Sequence, residues 1–101
     1  MPGSIANNAM ETLPGLYTLI ASRKANPPAG SYTASLFAKG EDEIVKKVGE
    51  EAIEVIVAAK GQGHERLVSE SADLIYHLMV LLVEKDVPWP DVVAELERRR
   101  K

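Results

Sequence analysis

Five carboxylates carry the chemistry that this sequence offers. Glu50, Glu51 and Glu54 stand in one run, and Glu70 and Asp73 in a second. Glu51 and Glu54 are three residues apart, as are Glu70 and Asp73, and residues at that spacing are neighbours on a helix surface. Gly61-Gln62-Gly63 lies between the two runs, and glycine is the usual residue just past a helix end. The midpoint of Glu51 and Glu54 falls 9.5 residues before Gln62, and that of Glu70 and Asp73 falls 9.5 residues after it. At a rise of 1.5 Å per residue, each pair sits roughly 14 Å from the turn. An antiparallel hairpin would therefore bring four carboxylates to one height. Two such charges about 5 Å apart repel by roughly 3 kcal/mol at an effective dielectric near 20, so either protonation or a cation must offset them. Oxygen-only donors favour hard divalent ions, magnesium first and manganese second. The plainer alternative is a solvated acidic groove that binds nothing.

The basic and hydroxyl residues nearby supply candidates for phosphate binding. Lys39 and Lys47 lie closest in sequence to the first acidic run, and Lys46 adjoins Lys47. Arg23 and Lys24 can either meet phosphate or complement the end of a helix dipole. Ser31 can bind phosphate or serve as a helix cap. His77 shares a stripe with Arg66, Glu70, Asp73 and Glu84, as an outer hydrogen-bond donor or a hydrogen-bonded core histidine. Tyr76 and Trp89 read as packing residues. No serine–histidine pairing is evident, and Gly61-Gln62-Gly63 is too short for a phosphate-cradling loop.

Helices must position these groups. Leu13, Leu16, Tyr17 and Ile20 follow helical spacing behind a cap at Thr12, with Pro14 in the first turn. Residues 1–11 are polar and read as a mobile tail or an added extension, with the domain at 12–101. The Asn26-Pro27-Pro28-Ala29-Gly30 stretch stops the first helix. A short segment then runs from Ser31 to Lys39, and a long helix from about Glu41 to Lys60. A second long helix is expected from about Glu65 to Lys85, and a final short one from Asp91 to Arg100. On the first long helix Ile44, Val45, Val48, Ala52, Val55, Ile56 and Ala59 form one apolar face, with Ile53 and Val57 on another side. The second is apolar almost all round, which is normal for a buried helix. No period-2 strand is visible. The fold class is all-α: a helical bundle with two long antiparallel helices, flanked by shorter ones and completed by dimerisation.

Composition narrows the function further. The 101 residues suggest one domain with a thin core. The chain lacks cysteine, which removes thiolate metal sites and cysteine nucleophiles and fits a reducing cytoplasm. A net charge of −3 argues against nucleic acid as the main partner, and the Arg98–Lys101 run reads as a solvated helix end. No secretory signal or membrane-spanning stretch is seen, so a cytoplasmic location without membrane contact is expected.

Lys47-Val48-Gly49-Glu50-Glu51-Ala52-Ile53-Glu54 and Glu70-Ser71-Ala72-Asp73-Leu74-Ile75-Tyr76-His77-Leu78, together with Ser31-Tyr32-Thr33 and Lys39-Gly40, resemble the all-α nucleotide pyrophosphohydrolase superfamily. The superfamily includes MazG-type enzymes and dimeric dUTPases. Over roughly Leu13 to Leu96 the chain is most similar to the phosphoribosyl-ATP pyrophosphatase family. The resemblance implies magnesium-dependent hydrolysis of phosphoribosyl-ATP to phosphoribosyl-AMP and pyrophosphate, the second step of histidine biosynthesis. It also implies magnesium binding by Glu51, Glu54, Glu70 and Asp73, with Glu50 serving a second ion or orienting water. Two other readings stay open on the residues alone: a house-cleaning pyrophosphatase for other nucleoside triphosphates, and a catalytically silent helical dimerisation module.

Overall fold

The computed structural model describes residues 2–100, with side chains from Glu11 onward. Five helices account for nearly all of it: α1 (Pro2–Ala25), α2 (Tyr32–Lys39), α3 (Glu41–Gly61), α4 (His64–Glu84) and α5 (Trp89–Arg99). No strand occurs among the described residues. The long α3 and α4 pack along each other as an antiparallel hairpin. α1 lies against α4, α2 packs mainly on α3 and against α1, and α5 packs against α1.

Local chemistry explains most of the boundaries. Ser31 accepts a hydrogen bond from the Ala34 backbone N–H at 3.1 Å, the cap expected for α2. Gly40 ends α2 and starts α3 with φ 99° and ψ 179°, and Gly63 starts α4 with φ 90° and ψ 171°. Residues with a side chain scarcely enter that region, so both long helices begin at positions that require glycine. Glu41, Asp42 and Glu43 fill the first turn of α3, where the helix dipole favours negative charge. At the end of α4, Val87 N–H bonds the Leu82 carbonyl at 2.9 Å and Asp86 N–H the Val83 carbonyl at 3.1 Å. Asp86 takes a left-handed φ of 57° to make this reversal.

One expected boundary is corrected. α1 starts at Pro2, so Thr12 is inside the helix and is not its cap. Pro14 also lies inside. It removes one ladder bond without stopping the helix, and Thr18 Oγ1 caps the Pro14 carbonyl at 3.1 Å. Met1, at the head of the expected tail, lies outside the described residues.

The core is Ile20, Leu36, Ile44, Met79, Val80 and Val83, with Leu16, Tyr17, Phe37, Tyr76 and Trp89 packed around it. Tyr17 also donates its hydroxyl to the Val87 carbonyl at 2.7 Å, tying α1 to the α4–α5 connection. The expected apolar face of α3 is mostly not core: Ile44 is buried, but Val45 and Ile56 are exposed, and Ala58 is buried instead. α4 is not buried all round either, since Val68, Ile75 and Leu78 are exposed. On α3, Ile53, Ile56 and Val57 are exposed as well, so both long helices present apolar side chains to the outside.

Candidate active site on the helical hairpin

The hairpin brings Glu51 of α3 together with Glu70 and Asp73 of α4. One carboxylate oxygen from each lies within 4.8 Å of the other two. The short turn at Gln62 and Gly63 lets these three meet, where the sequence led to the expectation of four. Glu54 stands outside this three-residue set, half-buried one turn further along α3. Glu70 is buried at 6% exposure, Glu51 is largely covered, and Asp73 opens to solvent.

Each of the two covered acids has a cation four residues earlier on its own helix. Lys47 Nζ lies 3.4 Å from Glu51 and 3.4 Å from Glu50. Arg66 lies 3.7 Å from Glu70. Burial pushes the Lys47 ammonium down, but Tyr32, Glu50 and Glu51 outweigh it and hold its pKa above the ordinary lysine value. Lys47 is thus a persistent cation at the rim of the acids. Burial also raises the Tyr32 phenol, against the opposing pull of Lys47, so the phenol keeps its proton.

The donor set fits a hard divalent cation. It is made only of carboxylate oxygens, from two elements, at separations that modest side-chain movement closes onto one ion. Every buried side-chain polar atom among the described residues has a hydrogen-bond partner.

The remaining expected residues fall into three places. Arg23 and Ser31 line a cavity of about 310 Å³ between α1 and the Pro28–Ser31 connection, along with Leu16, Leu19, Thr33 and Tyr76. Lys39 is exposed at the C-terminal end of α2. Lys24 instead pairs with Glu84 at 3.4 Å and lies 5.7 Å from the centre of the Phe37 ring, while Lys46 pairs with Glu43 at 3.8 Å. The structure adds residues that the spacing argument passed over. Tyr32 meets His77 Nε2 at 2.9 Å, and Thr33 is hydrogen-bonded to Tyr76. Ser31-Tyr32-Thr33 was legible only as a family-like string. The Arg66–Glu70 spacing, by contrast, repeats that of Lys47 and Glu51 and was open to view.

Residues 13–100 match the family model described as phosphoribosyl-ATP pyrophosphohydrolase. The chain is 58% identical over 90 residues to a phosphoribosyl-ATP pyrophosphatase of Limosilactobacillus fermentum, covering 89% of this chain and 85% of that one. It is 50% identical over 93 residues to a phosphoribosyl-ATP pyrophosphatase of Methanocella arvoryzae, covering 90% and 98% respectively. A histidine biosynthesis bifunctional protein of Caldanaerobacter subterraneus subsp. tengcongensis is 55% identical over 94 residues, which are 93% of this chain and 46% of that protein.

Proposed function

The chain belongs to the phosphoribosyl-ATP pyrophosphohydrolase family, and from that premise we propose how its hairpin carries out the reaction. The activity is the hydrolysis of phosphoribosyl-ATP with release of pyrophosphate, a step of histidine biosynthesis. The observation that supports this site is the convergence of Glu51, Glu70 and Asp73 from two helices within 4.8 Å. These three, with Glu54 moving in from the next turn, would hold magnesium. Bound there, the ion supplies charge compensation for the phosphates and acidifies water. Glu50, beside Lys47 and open to solvent, orients the attacking water and takes its proton. Lys47 neutralises the triphosphate. Arg23 and Ser31, in their cavity, receive the phosphate of the added ribose, a remote anionic handle whose binding energy can align the reacting end. The exposed apolar side chains of the hairpin are where a second copy of the chain packs, giving a homodimer.

The test compares kcat/KM for phosphoribosyl-ATP, ATP, dCTP and dUTP with magnesium, reading pyrophosphate release. Phosphoribosyl-ATP should be preferred at least tenfold, about 1.4 kcal/mol. A deoxynucleotide as best substrate would assign the site to house-cleaning hydrolysis instead. Asp73→Asn should fold normally, bind magnesium much more weakly by calorimetry and lose most activity; unchanged magnesium affinity would remove Asp73 from the site.

A further inference from the structure

Two successive residues of α2 are held by two successive residues of α4. Thr33 is hydrogen-bonded to Tyr76, and the Tyr32 hydroxyl lies 2.9 Å from His77 Nε2. His77 is buried at 6% exposure, and its Nδ1 lies 2.7 Å from the backbone carbonyl oxygen of Asp73. A carbonyl oxygen only accepts, so Nδ1 carries a proton, and in that tautomer Nε2 accepts the proton of the Tyr32 hydroxyl. The polarity of the chain is therefore set from the hairpin outward. The one proton of the Tyr32 hydroxyl points inward, and the oxygen presents only lone pairs to its surroundings.

Tyr32 is nevertheless 51% exposed. A residue present for packing alone would not spend its only proton on a buried histidine while leaving half its surface in water. Its location is specific as well. Lys47 and Glu51, at the acidic cluster, act electrostatically on its phenol. On the other side its ring stacks on Tyr76 with centroids 6.4 Å apart, and Tyr76 and Thr33 both line the cavity that holds Arg23 and Ser31. Through Thr33 and Tyr76, Tyr32 adjoins that cavity, and its phenol lies within the electrostatic reach of Lys47 and Glu51.

We propose that Tyr32 positions the nucleotide, its hydroxyl oxygen accepting a hydrogen bond from a donor on the nucleoside portion, with His77 as the positioning residue that aims it. The donor is a sugar hydroxyl or a base N–H, because an ionised phosphate has no proton to give and would meet lone pairs. The inference rests on the hairpin being the site of hydrolysis.

Tyr32→Phe in the full chain, with magnesium, should raise KM for phosphoribosyl-ATP about tenfold, change kcat much less, and leave magnesium affinity in the absence of nucleotide unchanged. His77→Gln keeps an acceptor near the Nε2 position, whereas His77→Asn keeps only a donor near Nδ1. The glutamine variant should therefore retain the higher kcat/KM, and in a Tyr32→Phe background the two should become equal. A wild-type KM in Tyr32→Phe overturns the proposal, as do His77 substitutions that cost the same with and without the Tyr32 hydroxyl. Since His77 is buried and its variants can fail to fold, the half-exposed Tyr32→Phe decides by itself. Wild-type protein that cleaves no phosphoribosyl-ATP would overturn the reading beneath; active wild type with an indifferent Tyr32→Phe overturns only this inference.

Discussion

Lys47 bridges Glu50 and Glu51, and Arg66 reaches Glu70, so two of the three clustered acids have an internal counter-ion. This arrangement lets the metal-free chain tolerate the cluster, and it also sets a competition. In the proposed function, a cation entering the site would act against the field of Lys47, and phosphate arriving afterwards would gain from it. Lys47→Gln should thus move two quantities in opposite directions. Magnesium affinity measured without nucleotide should rise a few-fold, on the order of 1 kcal/mol for a partly exposed charge pair, while KM for phosphoribosyl-ATP should increase. Calorimetry and steady-state kinetics on the same preparation check both. The raised Lys47 pKa gives the sign of the pH dependence: its ion pairs stabilise the fold fully below the unfolded lysine pKa and are lost only as pH rises through the folded value. Melting profiles around neutrality should therefore show no step from this residue.

At the scale of elements, the joints matter more than the helices. Gly40 and Gly63 occupy a region of φ and ψ that is essentially glycine-only, and a Cβ on either would meet no atom within 4 Å. The cost of alanine there is conformational and not steric: Gly40→Ala and Gly63→Ala should each destabilise by about 1–3 kcal/mol in urea denaturation. Much of this layout was legible in the sequence. Ser31, Gly40 and the Gly61-Gln62-Gly63 turn carry unambiguous local chemistry, and they delimit α2, α3 and α4 to within a residue or two. The meeting of Glu51 with Glu70 and Asp73 followed from counting residues from that turn. Other features depended on neighbours that spacing cannot name. A helical wheel groups Val45 and Ile56 with Ile44, but it does not say that α1 packs on α4 and that the short α2 is the other partner of α3, so Ile44 is covered while Val45 and Ile56 stay exposed. Nor could it separate Glu54 from Glu51: counting from the turn puts Glu54 level with Glu70, yet only Glu51 of the two joins the cluster. Pro14 points to a first-turn position and so to a start near Thr12, whereas the helix accommodates this proline internally.

For the whole molecule, the balance of apolar surface is the main consideration. Among the described residues six buried side chains form the core cluster, while Ile53 and Ile56 are 61% and 62% exposed, and Val57, Val68, Ile75 and Leu78 are exposed too. A domain of about 100 residues has little core to spare, and exposed apolar side chains of this kind mark an association surface. Sedimentation should show a dimer at micromolar concentration, with a melting temperature that rises with protein concentration. Ile56→Glu should shift the equilibrium to monomer, lower the melting temperature and remove its concentration dependence. A stable folded wild-type monomer at that concentration would refute the assignment of that surface.

The two-residue turn at Gln62 and Gly63 has a consequence for the order in which the molecule assembles. Glu51, Glu70 and Asp73 are only about twenty residues apart along the chain, and closing so short a loop carries a small entropic cost. Contacts this local form early in folding, before the longer-range packing of α1 against α4. The convergence of the three carboxylates should then already exist in the transition state. Magnesium should accelerate refolding in stopped-flow experiments, raising the folding limb of the chevron more than it lowers the unfolding limb. If the ion slows unfolding alone, the hairpin closes late and its acids meet only in the finished fold.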